Sequence, residues 1–173
     1  GFHLAIEGGE DLEARWVVDA SGQARLLARL WELPLQGYAD MNNVALFGYW
    51  KGGRVADNGG PKRETERWAV VGSADAGWVW HIPIGPDRVS VGLVTHRDTV
   101  KGADLQALYD GAVAGCAAVA PLLEGAAYLG RLPDGTREGV AAVRDWSYSC
   151  ARVCGRGWFV VGDGAAFVDP VLA

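Results

Sequence analysis

Two short apolar runs, joined by a tight turn, constrain the fold of this chain more than any other feature. The runs are Trp78–Pro83 and Arg88–Thr95, and a Gly-Pro-Asp turn at residues 85–87 lies between them. Both runs are rich in β-branched and aromatic residues, and the loop length is typical of a β-hairpin. Trp78 and Trp80 are two residues apart, so their indoles share one face of the strand. The hairpin predicts an antiparallel sheet in the middle of the chain.

The remaining segments predict further strands and helices. Strands are expected at the segments of β-type composition, which are Gly1–Glu7, Ala14–Val18, Asn43–Trp50, Arg67–Gly72, Val140–Arg152 and Trp158–Val161. One helix is expected at Arg25–Leu33. A second is expected from Asp104, a candidate cap, to about Ala120, because apolar residues recur there at helical spacing. Pro121 either breaks this helix or opens another short one. The order of elements predicts an α/β or α+β fold.

Composition and charge exclude several classes of protein. The 173 residues suffice for one domain or for parts of two, and the net charge of -5 is spread along the chain. This charge argues against a nucleic-acid-binding surface and against a basic membrane-surface helix. No apolar run reaches the roughly 18 residues of a membrane span, and the start lacks the pattern of a signal peptide. Because the chain opens without Met and stops shortly after Pro170, we expect both ends to lie inside a longer protein.

The three cysteines predict neither a disulfide framework nor a metal site. They are Cys116, Cys150 and Cys154, an odd and sparse set for a secreted scaffold. Cys150 and Cys154 do not have a usual zinc spacing, and no His lies nearby. We therefore expect free thiols in a reducing compartment, and hence a cytoplasmic protein without a bound metal.

The segment that follows the last predicted strand has the composition of a ligand-binding turn. The apolar run Trp158–Val161 leads into Gly162–Ala166, which is expected to open a helix. Small residues let a ligand approach the backbone closely, and a helix N-terminus attracts phosphate groups. Asp163 has the carboxylate to accept hydrogen bonds from sugar-like hydroxyls. The alternative is an ordinary strand, turn and helix with an Asp cap, and the residues by themselves favour it.

A resemblance favours the ligand-binding interpretation. The segment 162–170 resembles the late FAD motif of the flavoprotein hydroxylase superfamily, which has Gly-Asp-Ala-Ala, an aromatic residue and Asp-Pro. In that family the Asp holds the ribityl chain of FAD, the following helix start faces the pyrophosphate, and the Pro loop runs beside the isoalloxazine. The resemblance implies that FAD is bound by Gly162, Asp163, Gly164, Ala165, Asp169 and Pro170.

Other segments resemble one branch of this superfamily, the flavin-dependent halogenases. Gly77–Pro83 matches their Trp-x-Trp-x-Ile-Pro signature, and Val89–Val94 is typical of the strand that follows it. Asn42–Trp50 resembles the preceding strand in halogenases of phenols and carrier-bound pyrroles. Arg15–Gly22 resembles the strand and turn that close the first pass of the FAD-binding sheet. The resemblance covers nearly the whole chain in the right order.

The tryptophan pair has two compatible interpretations. By the resemblance, Trp78, Trp80, Ile82 and Pro83 form a wall beside substrate and flavin, where the indoles help to keep the substrate away from the flavin peroxide. They are not proton donors, so this is a positioning role. The alternative is the hydrophobic face of a hairpin, and both hold together. His81 points to the opposite face and is expected to be structural.

Two parts of the family pattern are absent. The Gly-x-Gly-x-x-Gly loop that binds the FAD pyrophosphate does not occur, because the similar cluster at residues 155–157 precedes a strand rather than following one. The catalytic Lys of these halogenases has no counterpart among the candidate lysines, which are Lys51, Lys62 and Lys101. No catalytic residue is therefore assigned. Gly164 stands where the family usually has Ala, and Ala173 where phenol- and pyrrole-type members often have Ser.

The resemblance implies a partial FAD-binding, Rossmann-like domain with a mostly antiparallel substrate sheet. Residues 1–33 would end the first pass of the FAD-binding domain, residues 34–153 would form the substrate sheet, and residues 154–173 would return to the FAD-binding domain. The complete enzyme would use FAD, reduced by a separate flavin reductase, and O2 to form a flavin hydroperoxide. Halide attack would give hypohalous acid, which halogenates an electron-rich aromatic ring of phenol or pyrrole type, free or tethered to a carrier protein.

Two expectations follow for the isolated chain. The turn after Val161 and the paired indoles are expected to share one pocket shaped for an isoalloxazine. The isolated chain is expected to bind FAD weakly or not at all, since the pyrophosphate loop is absent. Three alternatives stay open: a hydroxylating monooxygenase or prenyl-chain reductase of the same superfamily, a catalytically inactive fragment, and a β-rich binding module without flavin.

Overall fold

The computed structural model describes residues 1–38, 41–56, 68–144 and 147–169, and β-strands make up most of its regular structure. The strands are, in chain order, β1 (Phe2–Leu4), β2 (Leu12–Ala14), β3 (Val17–Asp19), β4 (Leu35–Gly37), β5 (Asn43–Lys51), β6 (Val70–Ala74), β7 (Gly77–Pro83), β8 (Arg88–His96), β9 (Ala127–Gly130), β10 (Ala141–Arg144), β11 (Tyr148–Cys150), β12 (Cys154–Gly155), β13 (Trp158–Val160) and β14 (Ala166–Phe167). The helices of this part are α1 (Leu26–Leu30), α2 (Leu105–Gly115) and short 3-10 helices at Gly22–Ala24, Ala120–Leu123 and Gly162–Gly164. The fold is mixed α/β with mostly antiparallel sheets, as predicted.

The chain divides into two compact units. Unit 1 comprises Gly1–Met41 and Asp145–Ala173, and unit 2 comprises Asn42–Arg144. The bounds of unit 2 lie inside the segment 34–153 that the sequence assigns to the substrate sheet. They do so because β4 and β11, near the two ends of that segment, pair with each other inside unit 1.

The predicted hairpin is confirmed and forms the centre of the sheet of unit 2. The strand order is β10-β5-β8-β7-β6, with β9 also pairing with β5, and every pairing is antiparallel. β7 and β8 are joined by a tight turn in which the Ile84 N–H donates to the Arg88 carbonyl over 3.0 Å. The hairpin and the long strand β5 therefore present one continuous surface on each side of the sheet.

Helix α2 covers one of these two faces. Its buried positions Tyr109, Ala112 and Val113 recur at helical spacing, and Cys116, the residue that follows the helix, is also buried. They join the inward side chains of β5, β7 and β8 in one core, whose fully buried members include Leu46, Val79, Val91 and Leu93. Asp104 caps the helix, as predicted. Of the two roles predicted for Pro121, the second is confirmed, because it lies in the first turn of a short 3-10 helix.

Among the described strands, the parallel pairing lies in unit 1. β13 lies between β12, which is antiparallel to it, and β3, which is parallel to it. β11 lies between β14 and β4, and β1 pairs with β2. Leu27 of α1 packs with Trp158 and Val160 of β13 in a small core.

Several predicted elements are wrong in extent. The single strand expected at 14–18 is two strands, β2 and β3, interrupted at Trp16, whose side chain is exposed. The strand expected at 140–152 is also two, with β10 in the sheet of unit 2 and β11 in unit 1. The helix expected at 25–33 has only the five residues of α1, and the strand expected at 67–72 begins at Val70. Arg67 lies outside the described residues.

Among the residues described, no helix has the length and apolar character needed to cross a membrane.

Candidate functional site

Two neighbouring parallel strands of unit 1 end at the same edge, and a turn follows each of them. β3 is followed by the 3-10 helix Gly22–Ala24, and β13 is followed by Gly162–Gly164. The two turns lie together, since the Val161 N–H donates to the Asp19 carbonyl over 2.9 Å. Ligands of α/β sheets bind outside the carboxyl ends of parallel strands. This edge therefore has the position of a ligand site.

The turn after β13 presents an exposed carboxylate on a backbone with little steric cover. Gly162 has a φ of 58°, in the left-handed region that favours glycine, and a Cβ there would meet no atom within 4 Å. Asp163 is exposed, and no group in the described part of the chain donates a hydrogen bond to its carboxylate. Its oxygens are free to accept hydrogen bonds from the hydroxyls of a ligand.

The helix expected to open at Gly162 does not form in the described residues. A three-residue 3-10 helix is followed at once by β14, whose Ala166 and Phe167 pair with β11. The macrodipole argument for phosphate binding therefore does not apply here, because the dipole grows with several aligned turns. Instead, the turn presents the Asp163 carboxylate and, at Gly162, a backbone that a ligand can approach closely.

Asp19 organises the adjacent turn after β3, a role that the sequence analysis missed. Its buried carboxylate accepts hydrogen bonds from the N–H groups of Ser21, over 2.9 Å, and Leu27, over 2.7 Å. Burial acts to raise the pKa of Asp19, but hydrogen bonds from the Ser21 side chain and from the N–H groups of Ser21 and Leu27 together outweigh it and hold the pKa below its ordinary value. The carboxylate thus ties β3 to the start of α1. The sequence signal that could have indicated this role is the position of Asp19 directly after the predicted apolar strand Ala14–Val18.

Three further residues of the predicted cofactor set lie in the turn after β13 or shortly after it in sequence. Gly164 is buried, and a Cβ on it would stand 3.2 Å from Val160 Cγ1. Ala165 is half-buried and packs against the small core of unit 1. Asp169 is buried, with 7% of its surface exposed, so it is not offered to solvent as Asp163 is. Pro170 lies outside the described residues.

The predicted substrate-side wall lies in unit 2, on the sheet face opposite α2. Trp78 and Trp80 share this face, with ring centroids 6.0 Å apart. The Trp80 indole lies across Gly92, its cross-strand partner, and its Nε1–H donates to Ser90 Oγ over 3.2 Å. Ile82 follows on the same face and is exposed, while Pro83 is half-buried at the end of the strand. The pairing in register therefore fixes the orientation of Trp80.

Two aromatic residues of β5 extend this wall and were not predicted as site residues. Phe47 stacks at a tilt on Trp80, with centroids 6.1 Å apart, and meets Tyr49 edge to face at 6.1 Å. The four residues Tyr49, Phe47, Trp80 and Trp78 form a row that runs from β5 to β7 past Gly92 of β8, named here the aromatic row. Alternation along β5 indicates that Phe47 and Tyr49 share a face, but only the strand pairing shows that it is the face of the indoles.

His81 lies on the opposite face, as predicted. Its side chain is fully buried, and burial lowers the pKa of the imidazole. It is therefore a neutral core residue at neutral pH, consistent with the structural role expected for it.

The described residues add no catalytic lysine or metal site to these groups. Lys51 and Lys101 are exposed, and Lys101 pairs with Asp98. Lys62 lies outside the described residues. No group of three or more His, Cys, Asp or Glu side chains in the described ranges could hold a metal ion.

Comparison with known proteins identifies relatives over nearly the whole chain. A sequence profile of the tryptophan halogenase family matches residues 2–173. A tryptophan 2-halogenase of Chondromyces crocatus is 31% identical over 166 residues, which are 94% of this chain and 30% of the relative. The flavin-dependent halogenase armH2 of Armillaria mellea is 32% identical over 171 residues, which are 94% of this chain and 33% of the relative.

Solved structures give the same result at the level of the fold. The myxobacterial chondrochloren halogenase CndH matches with a TM-score of 0.71 and 27% identity, over 94% of this chain and 36% of that one. The flavin-dependent halogenase CmlS matches with a TM-score of 0.70 and 29% identity, over 94% of this chain and 28% of that one. The chain spans about a third of the length of these relatives. Since the family profile covers all but the first residue, this chain belongs to the tryptophan halogenase family.

Proposed function

We propose that this chain is part of a FAD-dependent oxidoreductase that halogenates an electron-rich aromatic ring of phenol or pyrrole type. The observation that carries the proposal is the exposed Asp163 carboxylate on a glycine turn at the carboxyl ends of β3 and β13. Membership of a family whose named relatives are flavin-dependent halogenases supports it.

The donor and acceptor groups of the turn after β13 fit the ribityl part of FAD. A free carboxylate is a strong acceptor for sugar-type hydroxyls, and the absence of a side chain at Gly162, where a Cβ would meet no atom within 4 Å, lets a ligand approach the backbone. We assign FAD binding to the predicted set, which is Gly162, Asp163, Gly164, Ala165, Asp169 and Pro170. FAD, when bound and reduced by a separate flavin reductase, supplies the oxidation of halide by O2.

The aromatic row is proposed as the substrate-side wall, with Ile82 and Pro83 at its end. Large indole and phenyl faces exclude water from a reacting centre and hold a flat ring by stacking. Trp78 and Trp80 thus position the substrate, and they transfer no proton. The proposal includes the predicted assignment of residues 1–33 and 154–173 to the FAD-binding domain and of residues 34–153 to the substrate sheet. It leaves the catalytic residue unassigned.

Titration with FAD tests the cofactor assignment. FAD is added to the isotope-labelled chain up to millimolar concentration, and the backbone amide shifts of residues 162–165 are followed. Weak binding is expected, and Asp163→Asn should raise the Kd about tenfold, since a hydrogen bond to a charged group contributes about 1.5 kcal/mol. Asp87→Asn is the matched control, because Asp87 is an exposed turn aspartate in unit 2. Equal effects of the two substitutions would contradict the assignment.

The halogenation itself is tested by the mass of the product. The protein is supplied with reduced FAD, O2, and chloride or bromide, together with phenol- and pyrrole-type substrates. A product that carries the isotope pattern of the added halogen supports the proposal. A product that gains oxygen without regard to halide would indicate a hydroxylating monooxygenase instead, and loss of double bonds from a prenyl chain would indicate a reductase.

A further inference from the structure

Strand β11 holds the carbonyl groups of the candidate cofactor turn through two side chains. The Tyr148 hydroxyl donates to the Asp163 carbonyl, and the Cys150 thiol donates to the Gly164 carbonyl with an Sγ to O distance of 3.4 Å. The Cys150 N–H donates to the next carbonyl, that of Ala165, over 2.7 Å. Three successive carbonyls of the turn are therefore bound by one short strand.

The two side chains reach the turn because of their spacing and burial. Tyr148 and Cys150 are two residues apart on β11, so they project from the same face. Both side chains are buried. Burial raises the pKa of the Tyr148 hydroxyl and of the Cys150 thiol, so both keep their protons at neutral pH and remain hydrogen-bond donors.

A third residue fixes the ring of Tyr148. The Arg25 guanidinium lies over this ring, 4.6 Å from its centroid, at the distance of a cation–π interaction. Arg25 itself is held at the start of α1 in a left-handed conformation with a φ of 50°. The Tyr148 hydroxyl is thus fixed in place by the turn that follows β3.

The consequence for the turn concerns the direction of the peptide groups. A peptide plane has its carbonyl and its N–H on opposite edges, so binding the carbonyls of Asp163 and Gly164 from the β11 side fixes the orientation of the whole turn. Ser147 adds a further bond beyond the turn, from its hydroxyl to the Val168 carbonyl over 2.7 Å. The Asp163 carboxylate, exposed and without a donor in the described part of the chain, is left on a rigid base.

We propose that Tyr148 and Cys150 are positioning residues of the cofactor site, which hold the Asp163–Gly164 peptide groups so that the Asp163 carboxylate meets the ligand in one orientation. This inference rests on the proposed function, since it takes FAD as the ligand of the turn. Neither residue touches the cofactor in this arrangement, and both act through the backbone of the turn. Of the two, Tyr148 is expected to matter more, because a thiol is a weak donor.

The first measurement needs no ligand. Amide hydrogen exchange at Ala165, whose N–H closes the turn on the Gly162 carbonyl over 2.9 Å, is compared between the wild-type chain and Tyr148→Phe. Exchange should become about fivefold faster in the variant, the factor that corresponds to one ordinary hydrogen bond. Tyr128→Phe is the matched control, because it removes a hydroxyl bond to the Gly139 carbonyl, over 3.0 Å, in unit 2. It should leave exchange at Ala165 unchanged.

The second measurement adds FAD to the same proteins and follows the amide shifts of residues 162–165. Tyr148→Phe should raise the Kd for FAD about fivefold, and Tyr128→Phe should not. Cys150→Ala should give a smaller rise, and Cys150→Ser, which restores a hydroxyl donor, should return the Kd to that of the wild-type chain. Faster amide exchange at Ala165 together with a higher Kd for FAD supports the inference.

The other outcomes overturn it in distinguishable ways. Unchanged exchange at Ala165 in Tyr148→Phe would show that the hydroxyl does not hold the turn. Faster exchange with an unaltered Kd would show that the turn is held but that its rigidity does not serve FAD. A wild-type chain whose amides 162–165 do not respond to FAD would remove the proposed cofactor site, and the positioning role with it.

Discussion

Trp80 has its orientation because the residue opposite it is glycine. In the register of β7 and β8, Trp80 faces Gly92, and the indole lies flat over the glycine backbone. A side chain at position 92 would overlap the six-membered part of the indole. Close approach of an aromatic ring to a strand backbone is one of the uses of glycine inside a sheet. The wall proposed for the substrate therefore depends on the absence of a Cβ at position 92.

Gly92→Ala should displace the Trp80 indole and destabilise unit 2. Overfilling a packed site costs about 1–3 kcal/mol, and loss of that order is expected in the free energy of unfolding by urea, with a changed near-ultraviolet circular dichroism. Gly111→Ala is the control, because position 111 lies on α2 with open space around it. That change should stabilise by about 0.5–1 kcal/mol. An unchanged tryptophan signal in Gly92→Ala would contradict the account.

His81 makes the stability of unit 2 depend on pH. The side chain is fully buried, and in the described part of the chain neither ring nitrogen has a hydrogen-bond partner on another residue. Burial lowers the pKa of this imidazole below its value in the unfolded chain. The unfolded state therefore binds the proton more tightly, and the folded state loses stability as the pH falls below about 6.5.

The pH effect is measured by urea unfolding between pH 7.5 and pH 5.0. One proton gives a slope of at most about 1.4 kcal/mol per pH unit. His81→Leu should remove this slope, while His96→Gln, which alters an exposed histidine paired with Asp98, should retain it. If both variants keep the wild-type slope, another group is responsible for the pH dependence.

At the level of elements, helix α2 is fixed at its start and along its buried side. The Asp104 carboxylate accepts hydrogen bonds from the N–H groups of Gln106, over 3.0 Å, and Ala107, over 3.1 Å. Tyr109 accepts a hydrogen bond from the indole N–H of Trp50 over 2.9 Å, which ties the helix to β5. The cap defines where the helix begins, and the Tyr109 hydroxyl fixes how it packs on the sheet.

Asp104→Ala should destabilise unit 2 by about 1 kcal/mol, the usual contribution of an N-cap side chain. Asp104→Asn keeps an oxygen acceptor at the same place and should retain most of that stability. The measurement is the midpoint of urea unfolding followed at the tryptophans. A loss as large in Asp104→Asn as in Asp104→Ala would mean that charge, rather than capping, stabilises the helix start.

At the scale of the whole molecule, unit 1 leaves an apolar sheet face in contact with water. Trp16 stacks on Phe159 with centroids 5.8 Å apart, and 61% of Trp16 and 58% of Val18 are exposed. Val18 lies opposite Phe159 in the parallel pair, so these side chains share the face. Strands of parallel sheets are normally covered on both faces, and an apolar surface of this kind promotes association.

Val18→Thr and Phe159→Thr should reduce self-association of the chain, since threonine keeps the β-propensity but adds a polar group. The measurements are the sedimentation coefficient, from sedimentation velocity, and the fluorescence of an added hydrophobic dye. Both values should decrease in the variants. Val17→Thr, on the same strand but packed against the core of Leu27 and Trp158, should instead lower the stability. If the variant that carries both Val18→Thr and Phe159→Thr associates as the wild-type chain does, this face is not the surface through which the chain self-associates.

The sequence by itself determined the elements whose signals are local. The hairpin at 78–95 follows from its turn and its strand composition, α2 follows from helical spacing after an Asp cap, and the alternation of Trp78 and Trp80 places both indoles on one face. The motifs at Gly77–Pro83 and Gly162–Pro170 also sufficed to indicate the family, because they are read along the chain. Such features depend on neighbours only a few residues away.

The tertiary structure decided whatever depends on partners distant in the sequence. The segment after Gly162 looked like a helix start, yet β11 binds the carbonyls of 163–165 and draws Ala166 and Phe167 into a strand. Phe47 joined the aromatic row only through strand register. Tyr148, fifteen residues from the carbonyl it holds, gave no local signal. A hydrogen bond or a stacked ring requires atoms to meet in space, and spacing along the chain does not specify that meeting.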